Sequence, residues 1–273
     1  MKNTLLIPVS LTCATALATF LTTSSVHAQN VTFGSAQTIT GDANLIDALD
    51  TPGAVNIDAI LPNGNYNSPI GNNGSGNPSP TSLTADGVTF NALTPSSTSI
   101  SDATFSLTAS SGSFSSYGNN NGGYPVSGSA SSAFAAVMSA GGLYGSGPGV
   151  ITISASALTT GDIYDVQIFN FSDDGANEST TFTSGNSVSL FDNNGVGANP
   201  ATYLGQFATG TFTATGADET IDFSQGSGPY TPVIGAINLV DVTDVPEPST
   251  CALMTGGILL ISLGLRNRRQ AVV

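Results

Sequence analysis

The chain has 273 residues, of which 40% are hydrophobic and 8% are charged, and its formal net charge at pH 7 is −14. All four Lys and Arg residues and the one His lie in the first or last 28 positions, so residues 29–245 carry seventeen carboxylates and no basic side chain. Because phosphate groups are neutralised by Lys and Arg, this composition excludes nucleic acid as a partner of the central region.

The first 28 residues are typical of a cleavable secretion signal. Lys2 supplies the positive start, residues 5–21 form the apolar stretch, and Val26 and Ala28 place small side chains at the −3 and −1 positions of a cleavage site. We expect cleavage between Ala28 and Gln29. The alternative is an uncleaved N-terminal anchor, which the Thr-rich apolar stretch disfavours.

Residues 29–245 are predicted to form one acidic all-β domain. Residues 163–169 alternate between apolar and small polar side chains with a period of two, which is typical of a strand. Further strands are predicted at 31–39, 88–93, 100–108, 150–157, 180–190, 203–215, 220–223 and 233–240. Helical composition is limited to 43–49 and 131–140. Stretches rich in Gly, Asn and Ser at 63–80 and 110–128 predict long surface loops, although linkers between two subdomains would have the same composition.

The predicted fold class is an antiparallel β-sandwich of jelly-roll type with long loops. Residues 154–242 resemble jelly-roll, galactose-binding-like domains in their order of strands and polar loops. That resemblance implies a sandwich architecture, and such sandwiches often bind sugars. Tyr66, Tyr117 and Tyr124 lie in the polar loops and would then serve as stacking platforms in place of Trp, which the chain lacks. The alternative is that these rings pack over the bases of the loops.

The central region lacks the side chains that most enzymes use. Cys13 and Cys251 lie in the terminal segments, and with no Lys, Arg or His in 29–245 there is no base to activate a nucleophile and no zinc site of the usual kind. Carboxylate pairs, as used by glycosidases, are the remaining acid–base chemistry. Since no Arg, His or Trp is present to hold a sugar, we expect a protein without catalytic activity.

Two oxygen-rich loops are candidate calcium sites. The first contains Asp173, Asp174, Asn177 and Glu178, directly after the best predicted strand, and the second is the run 192–195, Asp-Asn-Asn-Gly. Calcium takes six to eight oxygen ligands from carboxylates, amides and main-chain carbonyls. A structural calcium ion would offset repulsion among the carboxylates. The alternative is that each run is an ordinary Asp/Asn/Gly turn.

The last 28 residues contain the most specific signal. Pro246, Glu247 and Pro248 precede an apolar run at 251–265, and Arg266, Arg268 and Arg269 follow it. The prolines favour an extended segment, and the apolar run predicts a short transmembrane helix at about 250–265. By the positive-inside rule the Arg cluster stays in the cytoplasm, which leaves the domain outside the inner membrane.

This tail resembles a PEP-CTERM sorting signal. The resemblance implies that an exosortase, a membrane-embedded processing enzyme, recognises the tail and cuts it near the motif. It also implies an inner-membrane-anchored precursor that is passed to the cell surface or to an extracellular, biofilm-type matrix containing exopolysaccharide. We therefore expect a non-catalytic surface or matrix protein, with a carbohydrate-binding module as the alternative. A plain anchor that is never cut would have a similar sequence.

Overall fold

The computed structural model describes residues 30–47, 51–62, 82–93, 96, 98–117, 131–139, 142–171, 178–192, 205–227 and 232–245. Within these ranges the secondary structure is β-strand apart from one short α-helix and two 3-10 turns, so the all-β class is confirmed. The strands are β1 Thr32–Phe33, β2 Gln37–Thr38, β3 Val55–Leu61, β4 Ser82–Ala85, β5 Val88–Ala92, β6 Ser99–Ser101, β7 Phe105–Ala109, β8 Phe114–Tyr117, β9 Gly142–Gly145, β10 Gly149–Ile153, β11 Ile163–Asn170, β12 Ser179–Thr183, β13 Ser187–Phe191, β14 Gln206–Thr213, β15 Glu219–Gln225, β16 Val233–Ile234 and β17 Ala236–Asp241.

These strands form three sheets. An eight-stranded sheet has the order β1-β14-β11-β17-β3-β5-β4, with β2 also paired to β14. A six-stranded sheet has the order β13-β12-β15-β10-β7-β6, and a small third sheet has the order β16-β9-β8. The prediction of purely antiparallel pairing is wrong at one place, because β3 and β5 run parallel. β4 runs antiparallel to β5 and carries the chain back along the sheet before β5 begins, which allows the parallel pairing.

The two large sheets share one hydrophobic core. Alternate residues of β11, including Val166 and Ile168, face this core from the eight-stranded sheet, and Phe182 and Leu190 face it from the six-stranded sheet. The period-two alternation of the sequence therefore has a direct structural cause, because one face of each strand is buried against the other sheet. The finer jelly-roll type stays a prediction.

A second core lies on the other face of the eight-stranded sheet. The helix α1, Ser132–Ser139, packs there with Phe134, Val137 and Met138 against β-strand residues such as Phe169 and Phe207. The spacing i, i+3, i+4 of its buried residues places them on one helical face. The helix predicted at 131–140 is confirmed.

Several elements of the structure are shorter than the sequence predicted, or are divided in two. The strands predicted at 100–108 and 180–190 are each two strands joined by a tight turn. In the first turn, Asp102 Oδ1 accepts hydrogen bonds from the N–H groups of Thr104 at 2.8 Å and Phe105 at 2.7 Å, and this local bonding reverses the chain. The helix predicted at 43–49 is a 3-10 turn at Asp42–Asn44, because the Asn44 side chain accepts from the Thr40 and Gly41 N–H groups and competes with helical bonding.

Among the described residues no helix is long and apolar enough to cross a bilayer. The predicted signal peptide and the transmembrane helix predicted at about 250–265 lie outside the described residues.

Candidate functional site

The structure describes only part of the predicted site residues. The cleavage pair Ala28 and Gln29 lies outside the described residues, as does the sorting motif Pro246, Glu247 and Pro248. The same holds for the tail residues Arg266, Arg268 and Arg269, for the calcium candidates Asp173, Asp174 and Asn177, and for Tyr66 and Tyr124. Tyr117 ends β8. Glu178 and Asp192 are both described.

Both ends of the folded domain leave the same end of the eight-stranded sheet. Thr32 pairs with Thr211, Thr211 with Asp165, and Asp165 with Val240. The first strand, β1, and the last strand, β17, therefore cross the same transverse row of the sheet. Three strand spacings of about 4.8 Å separate Thr32 from Val240, roughly 14 Å in all. Since β1 enters and β17 leaves at this row, we call this end of the domain the terminal end.

The first described residues are fastened to the turn between β12 and β13. The Val31 N–H donates to Ser184 Oγ at 3.1 Å, and the Gly185 N–H donates to the Val31 carbonyl at 2.9 Å. Asn186 accepts from the Phe33 N–H at 2.7 Å and donates to the Phe33 carbonyl at 2.8 Å. Val31 is buried. Only residues 29 and 30 would therefore separate the predicted cleavage site from the folded core.

Folded contacts continue to the residue that precedes the Pro-Glu-Pro motif. After β17, the Thr243 N–H donates to Asp241 Oδ1 at 2.9 Å and Thr243 Oγ1 accepts from the Ile163 N–H at 2.8 Å. The Val245 N–H then donates to the Val242 carbonyl at 3.1 Å, closing a last turn. The sorting motif begins at the next residue, without a spacer.

At the opposite end of the two large sheets, four polar side chains occupy positions that face the shared core. Asn170 ends β11 and Gln206 begins β14, in phase with inward-facing Ile168 and Ala208. Glu178 and Asp192 flank β12 and β13, in phase with the inward-facing Phe182 and Leu190. We call Asn170, Glu178, Asp192 and Gln206 the distal polar cluster.

Hydrogen bonds join the members of this cluster across the two sheets. The Glu178 N–H donates to Asp192 Oδ1 at 3.0 Å, and the Asp192 N–H donates to the Glu178 carbonyl at 3.1 Å. Asn170 Nδ2 donates to the Leu190 carbonyl at 2.8 Å, and Gln206 Oε1 accepts from the Phe191 N–H at 2.8 Å. The cluster therefore connects the end of the β12–β13 hairpin to β11 and β14.

The carboxylates of this cluster are almost completely buried, with Glu178 2% exposed and Asp192 0% exposed. Burying a carboxylate is costly unless a proton, a cation or strong hydrogen bonds compensate its charge. The sequence singled out Glu178 and Asp192 as members of two separate loops, and the structure brings them side by side. It also adds Asn170 and Gln206, which the sequence did not indicate because they end ordinary strands. The sequence feature that could have indicated Asn170 and Gln206 is a polar residue at a strand position that faces the core.

A second carboxylate pair is formed by Asp58, in β3, and Asp102, in the turn between β6 and β7. Burial raises the pKa of Asp58 above its ordinary value. Hydrogen bonds from Thr104 and Asn91 lower the pKa, whereas the charge of the neighbouring Asp102 and a hydrogen bond with Asp102 raise it further. Asn91 Nδ2 donates to Asp58 Oδ1 at 3.3 Å.

Asp58 also lines a small cavity between two strands. β3 and β5 pair only at their ends, Ile60 with Asn91 and Leu61 with Ala92, and diverge before that point. The opening has a volume of about 250 Å³ and is lined mainly by polar groups, including the side chains of Asn56, Asp58, Thr89 and Asn91. The sequence did not indicate this pair of carboxylates, because 44 positions separate Asp58 from Asp102 and neither stands in an acidic motif.

Comparison with known proteins identifies a sorting motif in the C-terminal tail but finds no relative of the all-β domain. The description of the matching family is PEP-CTERM protein-sorting motif, and it covers residues 244–269. Neither the curated proteins nor the solved structures give a match to the chain. The class is therefore that of exported proteins whose precursor passes through the membrane with a C-terminal sorting signal. More particularly, this chain carries a PEP-CTERM motif, and its processing partner is an exosortase.

Proposed function

We propose that the all-β domain is a non-catalytic structural component of the cell surface or of an extracellular, biofilm-type matrix. The observation that carries this proposal is that the last folded turn, closed by Val245, runs directly into Pro246–Pro248, within a sorting-signal match that begins at residue 244. An exosortase cut near Pro246–Pro248 would release or attach the domain whole, with almost no residual tail. The absence of Lys, Arg, His and Cys from residues 29–245 supports a role that needs no reactive side chain.

The two ends of the folded domain lie at the same end of the eight-stranded sheet, which supports an orientation with this end towards the membrane during export. A tail that begins at residue 246 holds the terminal end towards the membrane, and it directs the distal polar cluster away from it. The terminal end carries carboxylates such as Asp162, Asp165, Asp241 and Asp244. Anionic lipid would repel these groups, which favours release of the domain from the bilayer over adsorption to it.

A second candidate function is binding of a neutral polysaccharide. The outward-facing positions of the six-stranded sheet carry a dense set of hydroxyl groups. These belong to Ser99, Ser101, Ser106, Thr108, Thr152, Thr181, Thr183, Ser187, Ser189, Thr220 and Ser224. A hydroxyl-rich face without cations suits a neutral, hydroxyl-rich polymer and disfavours an anionic one.

The sorting proposal is tested by fractionating the host and measuring the intact mass of the protein. The expected product begins near Gln29, ends near Val245–Pro248, and is found outside the inner membrane. A product that stays in the inner membrane with Arg266–Val273 attached would contradict the proposal.

Polysaccharide binding is tested by a pull-down of the processed protein with the polysaccharide of the host. Thr183→Val combined with Thr220→Val removes two hydroxyls at nearly constant volume and is expected to weaken retention. Thr84→Val, on the eight-stranded sheet, is the matched control. Equal retention of all three proteins would contradict this second function.

A further inference from the structure

We propose that the distal polar cluster binds one calcium ion, with the carboxylates of Glu178 and Asp192 and the amide oxygen of Asn170 as ligands. This site goes beyond the sorting role and does not depend on it. It differs from a single-loop calcium site because its ligands come from both large sheets.

The first observation is the convergence of the two carboxylates. Ser179 and Phe191 form the outermost pair of the β12–β13 hairpin, and the hydrogen bonds between Glu178 and Asp192 extend that pairing by one position. Both residues are in phase with the inward-facing positions of their strands. Their carboxylates are therefore delivered to the same end of the shared core, from adjacent strands about 5 Å apart.

The second observation concerns Asn170 and is independent of the carboxylates. Its side chain is 0% exposed, and its Nδ2 donates to the Leu190 carbonyl, which fixes the orientation of the amide. Its Oδ1 is buried and accepts no hydrogen bond from any residue that the structure describes. A buried amide oxygen without a donor is costly, and native structures rarely leave one without a partner. A cation would satisfy it.

The chemistry of the ligand follows from the available atoms. The cluster offers only oxygen ligands, whereas zinc prefers His and Cys. Calcium accepts carboxylate, amide and main-chain oxygens in irregular geometry, whereas magnesium demands a near-ideal octahedron and retains water. No group of three His, Cys, Asp or Glu side chains lies together in the described ranges. The proposed set of calcium ligands therefore needs the amide oxygen of Asn170 in addition to the two carboxylates.

A calcium ion at this position would connect the two large sheets. Asn170 belongs to the eight-stranded sheet, while Glu178 and Asp192 flank strands of the six-stranded sheet. With no Lys, Arg or His in residues 29–245, no side chain of the domain itself can supply the compensating positive charge. The ion would lower the repulsion between the two carboxylates and close the core at its distal end.

The test uses processed protein purified from its host, treated with EDTA and then supplied with calcium, magnesium or neither. At calcium concentrations of about 100 times the dissociation constant, a rise in melting temperature of about 5–10 °C is expected. Equilibrium dialysis of the wild-type protein should find about one tightly bound calcium ion per chain, as the proposal states. No bound calcium, or an equal rise with magnesium, would overturn it.

Two isosteric variants locate the ion. Asp192→Asn keeps an oxygen for the Glu178 N–H but removes the charge, and Glu178→Gln removes the other charge. Each is expected to weaken calcium binding at least tenfold and to reduce the thermal shift. Asp58→Asn, at the other carboxylate pair, is the matched control and should bind calcium as the wild type does. If Asp58→Asn loses calcium while both cluster variants keep it, the site is wrongly placed.

Discussion

Thr32 and Val240 lie on one transverse row of the eight-stranded sheet, separated by β14 and β11. Thr32 is the fourth residue after the predicted cleavage site, and Val240 lies six residues before Pro246, so the first and last strands of the domain are fixed at the same end of the sheet. A precursor that still carries both terminal segments can therefore place both in one membrane without unfolding the sheet.

Asn186→Ala should destabilise the domain by about 1–2 kcal/mol, because the side chain makes two hydrogen bonds with the Phe33 backbone. For a domain of this size that corresponds to a fall in melting temperature of about 2–8 °C. Thermal unfolding followed by circular dichroism measures it. Thr220→Ala, on the exposed face of β15, is the control and should change the melting temperature by less. Equal effects would mean that the β12–β13 turn does not hold the N-terminal strand.

Gly149→Ala should cost about 1–3 kcal/mol through overpacking. A Cβ at Gly149 would lie 2.6 Å from the Thr108 carbonyl oxygen, which belongs to the paired strand β7, and 2.4 Å from the Phe223 ring. Gly34→Ala is the matched control, since its nearest atom would be the Thr209 carbonyl oxygen at 3.6 Å. Urea unfolding of the two variants compares them. A variant Gly149→Ala as stable as Gly34→Ala would show that β7 and β10 can separate without cost.

Asp58→Asn should stabilise the domain at pH 7 and reduce its gain in stability on acidification. Burial and the neighbouring Asp102 raise the pKa of Asp58 above the ordinary value of 3.8, so the folded state binds its proton more tightly than the unfolded chain does. The folded state is then penalised above the folded pKa, and the penalty is relieved as the pH falls through that value. Burial also raises the pKa of Asp165, although a hydrogen bond from Thr211 lowers it. Asp165 therefore changes the stability of the domain with pH in the same direction as Asp58.

Urea unfolding at pH 7 and at pH 5 measures this effect. The wild type should gain stability from these two groups on going to pH 5, and Asp58→Asn should gain less. Asp222→Asn, on the exposed face of β15, is the control for the loss of one negative charge. If Asp222→Asn stabilises as much as Asp58→Asn at pH 7, general repulsion is responsible rather than the burial of Asp58 and its contact with Asp102.

Replacing Pro246 and Pro248 by Ala should leave most of the protein in the inner membrane with its tail attached, since the recognition motif is lost. Membrane fractionation and intact mass measure the outcome. Pro148→Ala, in a turn before β10, is the control for a proline change in the domain and should be sorted as the wild type is. Normal processing of the doubly substituted tail would show that the exosortase reads another feature.

Local signals were sufficient for the C-terminal sorting tail and for the all-β class, while the N-terminal secretion signal stays a prediction. The Pro-Glu-Pro motif, the apolar run and the Arg cluster are contiguous, so the family match at residues 244–269 does not depend on how the domain folds. The alternation at Ile163–Asn170 predicted a strand because one of its faces had to be buried. The distribution of charge likewise followed from counting, and the expectations that rest on it, no nucleic-acid partner and no catalysis, stay predictions.

The tertiary structure decided which strands are neighbours and which side chains meet. The turn at residues 184–186 interrupts an alternation that keeps its phase from Phe182 to Val188, so periodicity alone could not place this turn. At Asp102 the apolar positions change phase, from Ile100 to Phe105, and the turn coincides with that change. Asn170 joins Glu178 and Asp192 only because β11 packs opposite the β12–β13 hairpin, and Asp58 meets Asp102 across 44 positions. Pairing between distant strands depends on the burial of whole sheet faces, and no local pattern encodes that burial.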